Sequence, residues 1–320
     1  MQRYNLRRWL TTALPGAVAL LALVLLNLAQ APAAQAQPRV VASIKPVHSL
    51  VAAVMDGIGV PTLLVRGGGS PHSYALRPSE ARALIEAQVV FWVGPGLEQF
   101  LRKPLAALGS GARIVQLDGA RGLTLLEQRA GGLWEEGEEE HGHDHQHGVY
   151  NPHVWLDPRN AQVLAEAIVE VLARTDPEHA AAYRANGERL SGRLAELDAE
   201  LARRLAPLRG RPFLVFHDAY PYLEARYGLP AIGAISVSPE RPPGARRVAA
   251  LRERIRETGA SCVFAEPQFQ PRLVQTLLEG TGARGGTLDP LGADLPDGPE
   301  LYFTLMLNLA RGLTDCLGRG

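Results

Sequence analysis

The feature that most restricts this chain is an alternation of short apolar runs with stretches of helical period, which breaks for one long helical run and then starts again. Arg39 to Ile44, Pro61 to Val65, Val89 to Val93 and Ile114 to Leu117 read as strands. Helical stretches lie between them, such as Ser79 to Ala87 with Ala81, Leu84 and Ile85 on one face. The pattern resumes with strands at Pro212 to Phe216, Ala231 to Ile235 and Cys262 to Ala265, a helix at Gly244 to Arg256 and a closing helix at Glu300 to Leu313. Such alternation predicts mostly parallel sheets flanked by helices, so the chain is expected to be an α/β protein of two lobes. Its 320 residues, 46% of them hydrophobic, suffice for a substantial core in each.

The break runs from Asp176-Pro177 to Leu208, where Leu190, Leu194, Leu197, Leu201 and Leu205 recur at three- and four-residue spacing with charges on the other faces. A coiled-coil dimer would use such a stripe, but the run is short and lies mid-chain, so a helix joining the lobes is the better reading. The expected organisation is a signal segment at 1–36, a first lobe at 37–175, a connecting helix at 176–208 and a second lobe at 209–320. His179 falls in the first turn of that helix, on a solvated face.

Arg3, Arg7 and Arg8 precede ten unbroken apolar residues, Ala17 to Leu26, and then Ala34-Gln35-Ala36. These are the charged, apolar and small-residue parts of a secretory signal, with cleavage expected near Ala36. Ten residues are too few for a dedicated membrane span. Arg7-Arg8 leaves a twin-arginine route open. Lys plus Arg and Asp plus Glu are both 33, so nothing recommends nucleic acid or another polyanion as partner. For the two cysteines, Cys262 and Cys316, a disulfide leads for an exported chain, ahead of a thiolate metal site without Cys-x-x-Cys spacing.

Five of the nine histidines lie between Glu135 and Pro158. His141, His143, His145 and His147 alternate with Gly, Asp and Gln in an acidic tract, residues 135–148, that has no apolar period and so reads as a solvated loop offering accessory metal ligands. His153 differs, because Val-Trp-Leu and the helix start Asp157-Pro158 follow it and fix its backbone. In parallel sheets ligands bind beyond the carboxyl ends of the strands. His72 sits there, after the second strand in Gly-Gly-Gly-Ser-Pro-His, and His217 there again in Phe-His-Asp-Ala-Tyr. Asp289, in Thr-Leu-Asp-Pro-Leu-Gly, is either a turn cap or a ligand. His48, beside Lys45-Pro46, reads as helix-start packing or as a residue behind the ligands.

The segments Ile44-Lys-Pro-Val-His-Ser-Leu, Pro71-His-Ser-Tyr-Ala-Leu-Arg-Pro-Ser, Val93-Gly-Pro, Asn151-Pro-His-Val-Trp-Leu-Asp-Pro, Phe216-His-Asp-Ala-Tyr, Phe264-Ala-Glu-Pro-Gln-Phe and Thr287-Leu-Asp-Pro-Leu-Gly resemble the metal-binding receptors of ABC importers, in particular the zinc-specific ZnuA-type family. The resemblance implies two lobes joined by a long helix, one metal site in the cleft ligated by His72, His153 and His217, a histidine- and acid-rich loop near the entrance, and pairing of Cys262 with Cys316. Where some relatives have a metal-reaching glutamate before the first histidine, this chain has Pro71, which leaves Asp289 or a water for the fourth position. Three imidazoles and one oxygen suit zinc, whereas manganese prefers more carboxylates, and related manganese receptors resemble this chain but carry a carboxylate at the position of His217.

The expected function is therefore capture of Zn2+ in the periplasm and delivery to the membrane permease of an ABC importer, by a monomer that is not an enzyme. The alternatives are a receptor for manganese or another divalent metal and a zinc-dependent hydrolase with Glu266 or Asp218 as base. The hydrolase lacks His-Glu-x-x-His on a helix. An adhesin is a further class. The absence of a cysteine near the cleavage region favours a freely diffusing protein instead.

Overall fold

The computed structural model describes residues 37–129, 134, 150–236, 243–269 and 272–318, with a compact unit beginning at Pro38. The expected signal segment, its cleavage point near Ala36, and the histidine-rich loop with His141, His143, His145 and His147 lie outside the described residues. Among the described residues no helix is long and apolar enough to cross a membrane.

The first block runs β1 (Val40–Ala42), α1 (Lys45–Val54), β2 (Thr62–Leu63), α2 (Pro78–Glu86), β3 (Val89–Trp92), α3 (Arg102–Ala107) and β4 (Arg113–Gln116). Its four strands are all parallel, in the order β2-β1-β3-β4, with Val41 opposite both Thr62 and Val90. Two helices follow, α4 (Pro158–Thr175) and α5 (Ala180–Leu205). The second block then repeats the first: β5 (Phe213–Val215), α6 (Pro221–Tyr227), β6 (Ala231–Ala234), α7 (Ala245–Thr258), β7 (Cys262–Ala265), α8 (Arg272–Leu278), β8 (Arg284–Thr287) and α9 (Leu301–Leu317). Its order, β6-β5-β7-β8, is again fully parallel. In both sheets the chain starts on a central strand, moves to one edge, and crosses back to the other side. Crevices that accept ligands therefore open between β1 and β3 and between β5 and β7, at the carboxyl ends.

Local chemistry sets the element starts. Proline occupies the first turns of α1, α2, α4 and α6, where its missing N–H is not needed. The Asp157 side chain caps α4 by accepting from Arg159 N at 2.8 Å, as the sequence predicts. Strand β8 escapes a reading based on apolar runs because its centre is Gly285-Gly286. A Cβ on Gly286 would lie 2.5 Å from the Phe264 ring and 3.4 Å from Cys316 Cβ, so the strand lacks side chains where its neighbours press against it. Cys262 and Cys316 are joined in a disulfide that ties β7 to α9.

All five leucines of the stripe on α5 are buried, and the helix packs against α4, α1 and α9, elements of both blocks. The α-helix is shorter than the expected 176–208, because 3-10 turns at Pro177–His179 and Ala206–Leu208 flank it. Asp176 holds the first turn, accepting from His179 Nδ1 at 2.8 Å and from the Tyr183 hydroxyl at 3.0 Å. His179 is thus a helix-start residue rather than a purely solvated one. The blocks are also bonded directly. Lys45 Nζ donates to Leu295 O at 2.6 Å and Ala293 O at 3.1 Å and pairs with Asp297, while Trp155 Nε1 donates to Pro290 O at 2.9 Å.

Candidate metal centre

Each of the three histidines is delivered by a different part of the frame. His217 lies two residues beyond β5 and Glu266 immediately beyond β7, so both stand at the crevice of the second sheet. His72 comes from the loop between β2 and α2 in the first lobe. His153 precedes a buried 3-10 turn, Val154–Leu156, whose Trp155 is fully buried and anchored at both ends, by its indole on Pro290 and by the Tyr302 hydroxyl on its carbonyl.

One ring nitrogen of each histidine falls within 4.8 Å of the other two, and no carboxylate among the described residues joins the group. His153 Nε2 and His217 Nε2 are 3.2 Å apart. His72 Nε2 is buried without a hydrogen-bond partner. Burial and the neighbouring His217 push the His72 pKa down to about 3. Burial, then His217 and His72, hold His153 well below its ordinary value. Those two rings are therefore neutral near pH 7, the form that donates a lone pair to a metal. The space the three rings share with Ser70, Pro71, Glu266 and Gln268 encloses about 10 Å³, room for an ion or a water and not for an organic molecule.

Asp289 precedes Pro290 and Leu291, which line this space, but its own oxygens are engaged elsewhere. Oδ1 accepts from Leu291 N and Gly292 N, each at 3.0 Å, and from Gln268 Nε2 at 2.8 Å, while Oδ2 accepts from Ala293 N at 2.6 Å. The carboxylate caps its turn and orients Gln268, whose buried Oε1 accepts no hydrogen bond. His48 is buried in α1 and its Nε2 donates to Pro61 O at 3.0 Å, so it ties α1 to the entry of β2, away from the cluster.

The candidate bases are also engaged. Asp218 pairs with Arg129, which forks onto Glu224 and lies 3.5 Å from the centre of the Trp134 ring. Glu266 accepts from His217 Nδ1 at 2.7 Å. Reasoning from sequence passed over Asn151, whose Oδ1 accepts from His153 Nδ1 at 2.9 Å, and it took Glu266 only as a possible base. The signal for Glu266 was present, since a carboxylate directly after a buried strand stands at the ligand end of a parallel sheet.

The fold and site define a class: a two-lobed α/β protein that gathers three imidazoles, two buried and one half-buried, drawn from both lobes, around a space sized for one ion. The chain belongs to the family described as zinc-uptake complex component A, periplasmic (ZnuA), whose sequence model matches residues 40–316. It is 47% identical over 306 residues to the high-affinity zinc uptake system protein ZnuA of Brucella suis biovar 1 (strain 1330), covering 88% of this chain and 92% of that protein. A crystal structure of ZnuA superposes with a TM-score of 0.74 at 27% identity, over 88% of this chain and 99% of the other. The SBP FpvC from Pseudomonas aeruginosa, solved in complex with Mn2+, shares the fold with a TM-score of 0.75 at 21% identity, over 89% of this chain and 100% of the other.

Proposed function

We propose that the protein binds one Zn2+ between its lobes through His72, His153 and His217, and hands it in the periplasm to the permease of an ABC importer. The observation that carries this reading is the 3.2 Å separation of His153 Nε2 and His217 Nε2. A tetrahedral zinc with Zn–N bonds of about 2.0–2.1 Å has N···N edges of about 3.3–3.4 Å, so the two nitrogens stand close to where a common zinc needs them. Three imidazoles with no carboxylate among them favour zinc over the harder manganese ion. In this reading Asp289 shapes the site without ligating. The loop at 135–148 is a weaker accessory store, and the 1–36 segment directs export.

A receptor rather than a hydrolase is supported by the size of the space and by the engagement of Glu266 and Asp218 with His217 and Arg129. Isothermal titration of the mature protein tests the reading. Alanine at any one of the three histidines should weaken zinc by at least about tenfold and leave the fold intact, because each change removes one metal bond. Unchanged affinity in a variant removes that residue from the site.

A further inference from the structure

We infer that Glu266 and Asn151 are positioning residues that fix the tautomers of His217 and His153, so that both rings present Nε2 to the metal. The inference deepens the proposed zinc site and rests on it for its purpose, though not for its geometry.

The Asn151 amide has only one orientation compatible with its partners. Its Nδ2 faces Asp218 O at 2.7 Å, a carbonyl that can only accept, and its Oδ1 faces His153 N at 3.1 Å, a backbone group that can only donate. Exchanging the amide oxygen and nitrogen would set acceptor against acceptor and donor against donor. With Oδ1 so placed, the His153 Nδ1 that sits 2.9 Å from it must carry the proton. A neutral ring holds one N–H, so His153 Nε2 carries the lone pair.

Glu266 acts on His217 in the same way with a different charge. It is 3% exposed, and its Oε1 lies 2.7 Å from His217 Nδ1, the short separation of a charge-assisted bond. The proton therefore sits on Nδ1 and Nε2 is turned toward His153. A carboxylate behind an imidazole also makes the opposite nitrogen a stronger donor than an amide does. The two ligands are thus held unequally, His153 by a neutral amide and His217 by an anion. The Glu266 carboxylate is buried, and His217 is its ion-pairing partner among the described residues.

The arrangement is built into the frame, which distinguishes it from a chance contact. Asn151 is itself gripped by the Tyr222 hydroxyl, which donates to Asn151 O at 2.7 Å, and its bond to Asp218 O joins it to the residue after His217. One side chain thereby orients His153 and references it to the strand end that carries His217.

Long-range 1H–15N correlation spectra of the metal-free protein at pH 7.5 read the tautomers with no metal present, so the result stands apart from whether zinc is the cargo. The expected result is a protonated Nδ1 on both His153 and His217, with His153 Nε2 unprotonated and free to accept across the 3.2 Å that separates it from His217 Nε2. Replacing Glu266→Ala should return His217 to a mixture of tautomers, and Asn151→Leu should do so for His153, each with zinc affinity lower by about 10–100-fold. Glu266→Gln, which keeps the shape and one acceptor, should recover part of the loss and serves where Glu266→Ala does not fold. An Nδ1 without its proton on either ring, or a proton on His153 Nε2, in the unaltered protein overturns the inference, as do tautomers that stay the same in folded Glu266→Ala and Asn151→Leu. Tautomers as expected with no zinc binding would instead overturn the proposed function.

Discussion

Replacing Asp289 separates a residue that shapes the site from one that binds the metal. The carboxylate accepts three backbone N–H groups and the Gln268 amide at 2.6 to 3.0 Å, so Asp289→Ala leaves four donors to find other partners. A hydrogen bond to a charged group contributes about 1.5–3 kcal/mol, and these donors are only partly buried, so water replaces much of what is lost. The net cost is set at about 2–4 kcal/mol. With an unfolding entropy of about 2.1 cal/mol/K per residue across the ordered chain, this lowers the melting temperature of the metal-free protein by roughly 3–7 °C.

The effect on zinc runs through Gln268 and through the turn that carries Pro290, whose carbonyl anchors Trp155 beside His153. That indirect route should weaken zinc by less than about tenfold, or 1.4 kcal/mol, a smaller loss than at any of the three histidines. Asp289→Asn should fall between the two in stability, since one oxygen remains to accept. Thermal unfolding without metal and competition with a zinc chelator supply both numbers. An Asp289→Ala protein with unchanged stability and a zinc loss as large as that of the histidine variants would make Asp289 a ligand and refute the reasoning.

Three further outcomes are expected. Exchanging His217→Glu places an anionic oxygen among the imidazoles and should lower the zinc-to-manganese affinity ratio measured by competition, whereas an unchanged or higher ratio would show that His217 does not set the choice. Replacing both Cys262 and Cys316 with serine opens a loop of sequence separation 54, which should cost about 4 kcal/mol in urea unfolding with zinc affinity retained; no loss of stability would contradict the chain-entropy estimate. Acid should destabilise the metal-free protein through His72 and His153. Their folded pKa values lie below the unfolded value of 6.5, so the unfolded chain binds the extra protons, and stability falls as pH drops from 6.5 toward about 3 for His72, by at most about 1.4 kcal/mol per pH unit for each ring. Burial raises Glu98 to about 7, which has the opposite sign between 4.5 and 7, so the comparison is made in Glu98→Gln, where an acid limb unchanged by His72→Gln would rule out the assignment.

The fold was legible wherever a strand carried its own apolar run. Val89–Trp92 and Cys262–Ala265 are buried between helices and read as unbroken hydrophobic segments, whereas Arg284–Thr287 is a strand through its neighbours and through glycines that yield to Phe264 and the disulfide. The leucine period marked α5 because packing on two sides selects one face, but not the 3-10 turns at its ends, which depend on Asp176, His179 and Pro207. At the site, the positions of His72 and His217 followed from their place after strands, and that of His153 from the helix start behind it. The hydrogen bonds of Asp289, Asn151 and Glu266 did not, because a carboxylate before proline or an amide before proline has the same sequence whether it caps a turn, orients a ring or binds a metal. Only the neighbours brought by the fold distinguish these roles.

The central claim is that three imidazoles from two lobes hold one zinc. It is tested most directly by X-ray absorption spectroscopy of the mature protein lacking residues 135–148 and loaded with a single zinc equivalent. The account predicts that this equivalent binds tightly without the loop and shows three imidazole nitrogens at about 2.0–2.1 Å, with a light-atom ligand completing four-coordination. A first shell with fewer than three imidazoles, or loss of the tight equivalent along with the loop, would contradict it.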